Sequence, residues 1–369
     1  MGSHWAHQMG GAQYQAKCIV EALQRSGRCD IHYLASNVAE NYTPTGYRIH
    51  RIGRLRIPDR FGGFIWDALG LRQVIRTIRP DLVYQRGLKA HTGFLASICK
   101  KAGIPFVFHI AHDDDVRTIK SSELFSHSFN RWANKRIGEK GLYRATAIIA
   151  QTQIQGDQLH ENYGIKPMLV APNFHPVPES AVTKVNEPVQ VTWVANFKPS
   201  KQPQLFVDLA ESMVNVPNLR FVMIGRRGDS AAYSALHERI ASLPNLNYLG
   251  EVPIERVNDE LTKSHIFVNT SVSEGFPNTF IQAWMRAVPV VSLFVDPDKV
   301  LQQQKIGVCC HTTENLRAET LKLVENSAYR DEMGLRAAQW AARVYGPSAG
   351  AAITDLLLTL ASERRTKRI

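Results

Sequence analysis

The residues best placed for chemistry are a carboxylate and an amide on either side of one turn. The stretch Ser273-Glu274-Gly275-Phe276-Pro277-Asn278-Thr279-Phe280-Ile281-Gln282-Ala283-Trp284 follows the apolar run 266–269 and leads into Val288-Pro289-Val290-Val291-Ser292. The pattern reads as a strand, a Gly/Pro turn and a helix start. Free backbone N–H groups at such a start, with the helix dipole, form an anion site. Gly275, Phe276, Pro277, Asn278 and Thr279 are therefore candidate lining residues. Glu274 supplies a carboxylate that can accept hydrogen bonds from sugar hydroxyls, and Gln282 falls one to two turns into the helix. Each further candidate has an ordinary reading beside it. Gly10-Gly11 alone is a turn. His109 ends the apolar run 106–109, where a lone histidine is usually a structural hydrogen-bonder. Asp113-Asp114-Asp115 has spacing that can hold a divalent cation, or can simply be an acidic helix start.

These residues sit on a repeating frame. Strand-like runs at 31–35, 81–84, 106–109, 147–150 and 168–170 alternate with helical stretches at 12–25, 90–101 and 153–163. The second half repeats this, with runs at 190–194, 220–224, 247–249, 266–269 and 288–293 and helical stretches at 203–214, 231–242, 257–263 and 279–287. Strands alternating with helices predict parallel sheets covered on both faces. Between the halves, Ala171-Pro172-Asn173-Phe174-His175-Pro176-Val177-Pro178 carries three prolines and can continue neither a helix nor a central strand. It is read as the hinge between two doubly wound domains. The tail from 337 to 360 is helical, broken at Gly346-Pro347. One strand is missing from this frame. A doubly wound sheet needs an apolar strand before its first glycine loop, yet Gly10-Gly11 follows only nine residues, including Trp5-Ala6-His7-Gln8-Met9. We expect the first N-terminal strand to be absent and the start to be truncated.

Around Glu274 the chain resembles glycosyltransferase family 4, the retaining GT-B glycosyltransferases of group 1. Their Glu-x7-Glu motif lies within E-G-F-x-x-x-x-x-E-A, followed by P-V-V. Here the first position is Glu274 and the second is replaced by Gln282. The resemblance implies that Glu274 contacts the donor sugar and that position 282 contacts the ribose diol. Gln282 carries no charge, so altered nucleotide binding is expected. Four further stretches agree with the family, in the right order. Val194-Ala195-Asn196-Phe197-Lys198-Pro199-Ser200-Lys201 matches the first loop of the second domain; Asn196 replaces the usual Arg, with Lys198 nearby and Lys201 in the Lys position. Cations there would stabilise a diphosphate leaving group. Asn247-Tyr248-Leu249-Gly250-Glu251-Val252 matches the loop that holds the base through its backbone. Gly10-Gly11-Ala12 matches the glycine loop near the donor phosphates, and Phe106-Val107-Phe108-His109 the strand whose His faces the reacting carbon.

The resemblance thus implies an α/β, GT-B chain: two Rossmann-like domains facing a cleft. Residues 1–175 would be the acceptor side, 176–345 the nucleotide-sugar side, and 346–369 a helix crossing back to the first domain. It implies a retaining transferase acting in cell-surface polysaccharide or glycolipid synthesis. The donor would be UDP-, GDP- or ADP-linked, and the acceptor a hydroxyl, including a lipid-linked one. Glu274, His109 and Lys201 would be catalytic. No metal and no cofactor are expected, because the family needs none.

Composition narrows the alternatives. The chain has 369 residues, 44% hydrophobic and 21% charged, which excludes a disordered chain and a small disulfide scaffold. Five scattered cysteines without C-x-x-C read as reduced thiols of a cytoplasmic protein. No apolar run reaches the ~18–20 residues that span a bilayer. The net charge is +11, and residues 1–180 hold 23 basic and 14 acidic residues, or +9 of it. Candidate partners for that half are an anionic membrane surface at the inner face, a phosphorylated substrate or nucleic acid. Phe64, Ala68, Leu71, Ile75 and Ile78 share a helical stripe flanked by Arg72, Arg76 and Arg79, with Arg48, Arg51, Arg54, Arg56 and Arg60 upstream. Such a stripe packs on a sheet or makes peripheral contact with membrane. Tyr47, Phe61 and Trp66 beside the arginines could form an RNA patch, but without a nucleic-acid motif we expect no nucleic-acid partner. The rival functions are a nucleotide-sugar epimerase and a non-catalytic nucleotide-sugar-binding or membrane-associated scaffold.

Overall fold

The computed structural model describes residues 2–52, 63–118, 129–178, 184–185, 187–228 and 230–367, with backbone alone at 63–67, 129–131 and 232. Arg54, Arg56, Arg60 and Phe61, and the side chains of Phe64 and Trp66, lie outside the described residues. The chain divides into two compact units, Met1–Phe174 with Ser348–Ile369, and His175–Pro347.

The first unit runs α1 (Gly11–Ser26), β1 (His32–Ala35), β2 (Arg48–Arg51), α2 (Gly63–Ile78), β3 (Val83–Arg86), α3 (Ala90–Lys101), β4 (Phe106–His109), α4 (Phe129–Leu142), β5 (Ala147–Ala150), α5 (Gln153–Tyr163) and β6 (Leu169–Val170). All its strand pairs are parallel, but they form two pieces: β1-β2, and β3-β4-β5-β6. No strand precedes α1 among the described residues. The break therefore falls where a doubly wound sheet would place its first strand. Burial agrees. Every residue of β4 and β5 is buried, whereas all of β3 and three of the four residues of β1 are only half-buried.

The second unit runs β7 (Val189–Val194), α6 (Pro203–Ser212), β8 (Leu219–Ile224), α7 (Ala231–Ser242), β9 (Leu246–Gly250), α8 (Ile254–Lys263), β10 (Ile266–Asn269), α9 (Asn278–Trp284), β11 (Val290–Ser292), α10 (Val300–Gln304), β12 (Gly307–Cys309), α11 (Thr313–Glu325) and α12 (Ser327–Val344). Its sheet is wholly parallel in the order β12-β11-β10-β7-β8-β9, the order of a dinucleotide-binding sheet counted outward from its first strand. Side chains alternate between the faces. Val191, Trp193, Phe221, Met223, Ile266 and Val268 enter one core; Val222, Ile224, Phe267 and Val290 enter the other. A final helix, α13 (Pro347–Thr366), joins the first unit. There Gly350 meets the Phe174 ring, Arg364 donates to the carbonyls of Pro80 and Ala102, and Arg365 pairs with Asp81 at 2.6 Å.

Two expectations about membranes are refined. The stretch Ser327–Thr366 does contain a window with a mean hydropathy of 1.2, long and apolar enough to cross a bilayer by length and composition, contrary to the sequence reading. It is divided between α12 and α13, whose apolar residues Met333, Ala337 and Ala341, and Ile353, Leu357 and Leu358, are buried against protein. The stripe on α2 likewise faces inward: Leu71 and Ile75 are buried in the first unit's core, while Arg72 and Arg76 are exposed. Leu71→Ala is accordingly expected to destabilise the protein by about 2–5 kcal/mol through the cavity it leaves. Arg72→Ala should stay within about 0.5 kcal/mol. Urea unfolding measures both, and equal small effects would contradict this packing.

Candidate functional site

In an open parallel sheet, ligands bind outside the carboxyl ends of the strands, where the strand order reverses. In the second unit that point lies between β7 and β10, which are neighbours in the sheet although α6 to α8 separate them in sequence. The loops leaving these two strands meet. The Val272 N–H donates to the Ser200 carbonyl at 2.9 Å, and the Thr270 hydroxyl donates to the carbonyls of Lys201 at 2.7 Å and Gln202 at 3.1 Å. Trp193, in the core, donates its indole N–H to Thr270 Oγ1 at 3.0 Å and so ties the loop to the sheet.

This junction brings Lys201 and Glu274 together. The Lys201 ammonium forms an ion pair with Glu274 Oε1, and the Ser271 hydroxyl donates to the same oxygen at 2.8 Å. Asn269, at the end of β10, fixes Ser271 in turn: its Nδ2 donates to Ser271 Oγ at 3.2 Å, and its Oδ1 accepts the Ser271 N–H at 3.1 Å. The side chains of Lys201 and Glu274 remain 22% and 14% exposed, so the pair is held but open to a ligand. A carboxylate anchored on one oxygen keeps acceptor capacity on the other for a hydroxyl.

The remaining candidates are distributed around this pair. Lys198 is exposed on the same loop as Lys201. Asn196 serves the backbone, its Oδ1 accepting the Arg226 N–H at 3.0 Å. Gly250 ends β9 with φ of 70°, and its carbonyl accepts the Gly225 N–H at 2.8 Å; Glu251 and Val252 follow it. Gly275, Phe276 and Pro277 are buried, and the Phe276 ring packs against Tyr345 at 5.0 Å and Trp284 at 6.3 Å. Asn278 and Thr279 begin α9, a helix of only seven residues. Gln282 lies inside it, 4% exposed, with its Nε2 donating to Asn258 Oδ1 of α8 at 3.0 Å.

Several participants escaped the sequence reading. Arg226 and Arg227 are exposed on the loop after β8, beside the Asn196 loop. The Gly225-Arg226-Arg227-Gly228 sequence directly after a strand was the available signal. Gly225 has φ of 144°, and a Cβ there would lie 1.8 Å from the Ala195 carbonyl oxygen, so only glycine lets the two loops approach. His175, at the start of this unit, is buried, with its Nε2 3.1 Å from Asn278 Oδ1. Burial lowers its pKa to about 3 despite that hydrogen bond, so the ring is neutral and donates to Asn278.

In the first unit, Gly10 is an ordinary extended N-cap to α1. His109 is wholly buried, 2.8 Å from the Tyr84 hydroxyl and 3.2 Å from Arg86 Nη1, and burial together with that guanidinium holds its pKa well below the usual value. The acidic triplet is structural. Asp115 accepts backbone N–H groups of Leu88, Ala111 and His112, and Asp113 accepts from Gln155. No group of three or more metal-ligating side chains occurs among the described residues, and all five cysteines are free.

Two family models match successive parts of the chain: Glycosyltransferase Family 4 over residues 9–176, and Glycosyl transferases group 1 over residues 188–326. No curated protein matches the sequence. Among solved structures, a sucrose-phosphate synthase from Thermosynechococcus elongatus superposes with a TM-score of 0.77 at 14% identity, covering 98% of this chain and 96% of that one. Anabaena HepE in complex with UDP and glucose gives 0.72 at 15% identity, covering 95% and 97%. WaaG, a glycosyltransferase involved in lipopolysaccharide biosynthesis, gives 0.71 at 13%, covering 97% and 98%. At these identities the likeness shows a shared fold, GT-B, with two Rossmann-like domains.

Neutral burial of His175 has a pH consequence. Its folded pKa of about 3 lies below the ordinary 6.5, so its contribution is whole above pH 6.5 and is lost as pH falls toward 3, by about 1.4 kcal/mol per pH unit. His175→Gln, which keeps an amide donor for Asn278, is expected to flatten the stability–pH curve by that slope in this window. Identical slopes in urea titrations of the two proteins would contradict a buried neutral ring.

Proposed function

Because the chain belongs to the family 4, group 1 glycosyltransferases, we propose that it is a retaining transferase moving a sugar from a nucleotide-sugar donor to a hydroxyl acceptor. The observation that carries this reading is the meeting of Lys201 and Glu274 at the switch point of the second unit's sheet. In the proposed complex the donor's diphosphate lies over the loops after β7 and β8. Lys201 turns from Glu274 toward the leaving phosphate, with Lys198, Arg226 and Arg227 close by to offset the charge that develops on it. Glu274, still held by Ser271, accepts a hydroxyl of the sugar and fixes its orientation. The bond from the anomeric carbon to the phosphate oxygen breaks, and the bond to the acceptor oxygen forms on the same face. The departing phosphate oxygen takes the acceptor's proton, so no protein nucleophile is needed. His109 is assigned to the sugar's surroundings rather than to proton transfer, because its ring nitrogens already face the Tyr84 hydroxyl and the Arg86 guanidinium.

The neighbours make UDP-sugars the first donors to try, since HepE is described with UDP and glucose. The WaaG neighbour, described as involved in lipopolysaccharide biosynthesis, supports a place in surface-glycan or glycolipid synthesis, and the proposal extends to a lipid-linked acceptor taken at the cytoplasmic face. Incubating the protein with UDP-, GDP- and ADP-sugars and hydroxyl acceptors tests the reading directly. Release of nucleoside diphosphate with a glycosylated product of retained configuration is expected. An isomerised donor would identify an epimerase instead, and binding without turnover a scaffold. Glu274→Ala should lower turnover by about 100- to 1000-fold with an unchanged circular dichroism spectrum; near-normal turnover would remove Glu274 from the site. Gln282→Glu places a charged acceptor where the family's second glutamate stands, and nucleotide affinity should rise about fivefold. An unchanged dissociation constant would mean that this side chain does not reach the ribose.

A further inference from the structure

The carboxyl ends of β3 and β4, with the segment after β6, carry a cation that the proposed reaction does not use. Arg86 ends β3. Its Nη1 lies 3.2 Å from both ring nitrogens of His109, and its Nη2 donates to Asn173 Oδ1 at 2.5 Å. Asn173 is itself fixed. The next residue, Phe174, is clamped to α1 by Gln15, whose Nε2 donates to the Phe174 carbonyl at 3.0 Å and whose Oε1 accepts its N–H at 3.2 Å.

The partners of this guanidinium are all neutral. His109 is held unprotonated by burial, Asn173 is an amide, and burial raises the pKa of the neighbouring Tyr84 phenol. Arg86 forms no ion pair among the described residues, and its Nε is buried with no hydrogen-bond partner. A half-buried cation without a counter-charge is costly to hold. Two buried arginines are accommodated differently. Arg364 is absorbed by two backbone carbonyls, and Arg330 by the carbonyls of Leu323 and Val324 together with Asp331. Arg86 has no such carbonyls. It is instead aimed by two side chains at the strand ends where an open α/β sheet takes its ligand. A planar guanidinium in a fixed orientation is suited to an oxyanion, which it can bind in bidentate fashion.

We propose that Arg86, oriented by Asn173 and His109, is an oxyanion-binding residue of the first unit and takes a phosphate or carboxylate group of the acceptor. The assignment to the acceptor rests on the transferase reading; the oxyanion site itself does not. Titration calorimetry of the full chain with inorganic phosphate, with glucuronate and with UDP, at ionic strength matched by chloride, reads the site without turnover. Phosphate or glucuronate binding is expected to weaken about ten- to a hundredfold in Arg86→Gln, while UDP affinity stays within about twofold. Asn173→Ala keeps the charge but frees its direction, and should weaken the anions several-fold; it also serves should Arg86→Gln fold poorly. Equal anion binding in all three proteins, or none in any, overturns the proposal. Loss of UDP binding in Arg86→Gln overturns the acceptor assignment and moves the oxyanion to the donor's diphosphate. Anion binding without any UDP binding by the unaltered chain would leave Arg86 in place and remove the transferase reading.

Discussion

Adjacency of β7 and β10 in one parallel sheet is the constraint on which the candidate site depends. Their loops are about seventy residues apart in sequence, yet the crossover geometry delivers both to the same edge of the sheet. Once there, the Trp193–Thr270 hydrogen bond and the backbone bond from Val272 to Ser200 hold the loops to the sheet and to each other. Lys201, at the end of the short 3-10 turn Pro199–Lys201, and Glu274 then face each other. The ion pair is thus a by-product of strand order. Any change that separates the loops would dissolve the ion pair while leaving both residues present.

Much of the frame was legible from the amino-acid order. The runs 106–109, 147–150 and 266–269 coincide with β4, β5 and β10, whose residues are all buried. Strands buried on both faces must be apolar throughout and so stand out from their polar surroundings. β2 was missed because Arg-Ile-His-Arg has a single apolar residue, which suffices at a sheet edge exposed at both ends. β12 has only three residues, too few for periodicity. The absence of a strand before α1 among the described residues was also legible, since Trp5-Ala6-His7-Gln8-Met9 is not the apolar run that a central strand needs. Its trace is the half-exposure of β1 and β3.

The site was readable by residue type and less so by contact. Glu274 and Lys201 stood out through motif and spacing, but their pairing with each other did not. Asn196 and Gln282 are ligand candidates by motif, and the structure adds a protein partner that the motif does not show: the Arg226 N–H for Asn196 and Asn258 for Gln282. Arg86 was invisible because its lack of a carboxylate partner among the described residues depends on side chains from three strand ends, and no local pattern encodes a missing counter-charge.

The return of α13 to the first unit sets an order of events during synthesis. The carbonyls of Pro80 and Ala102 await Arg364, and Phe174 awaits the turn of helix around Gly350. The first unit is thus finished only after α13 has emerged from the ribosome. The middle unit, contiguous from His175 to Pro347, can close earlier. In this protein the half made first is the half completed last.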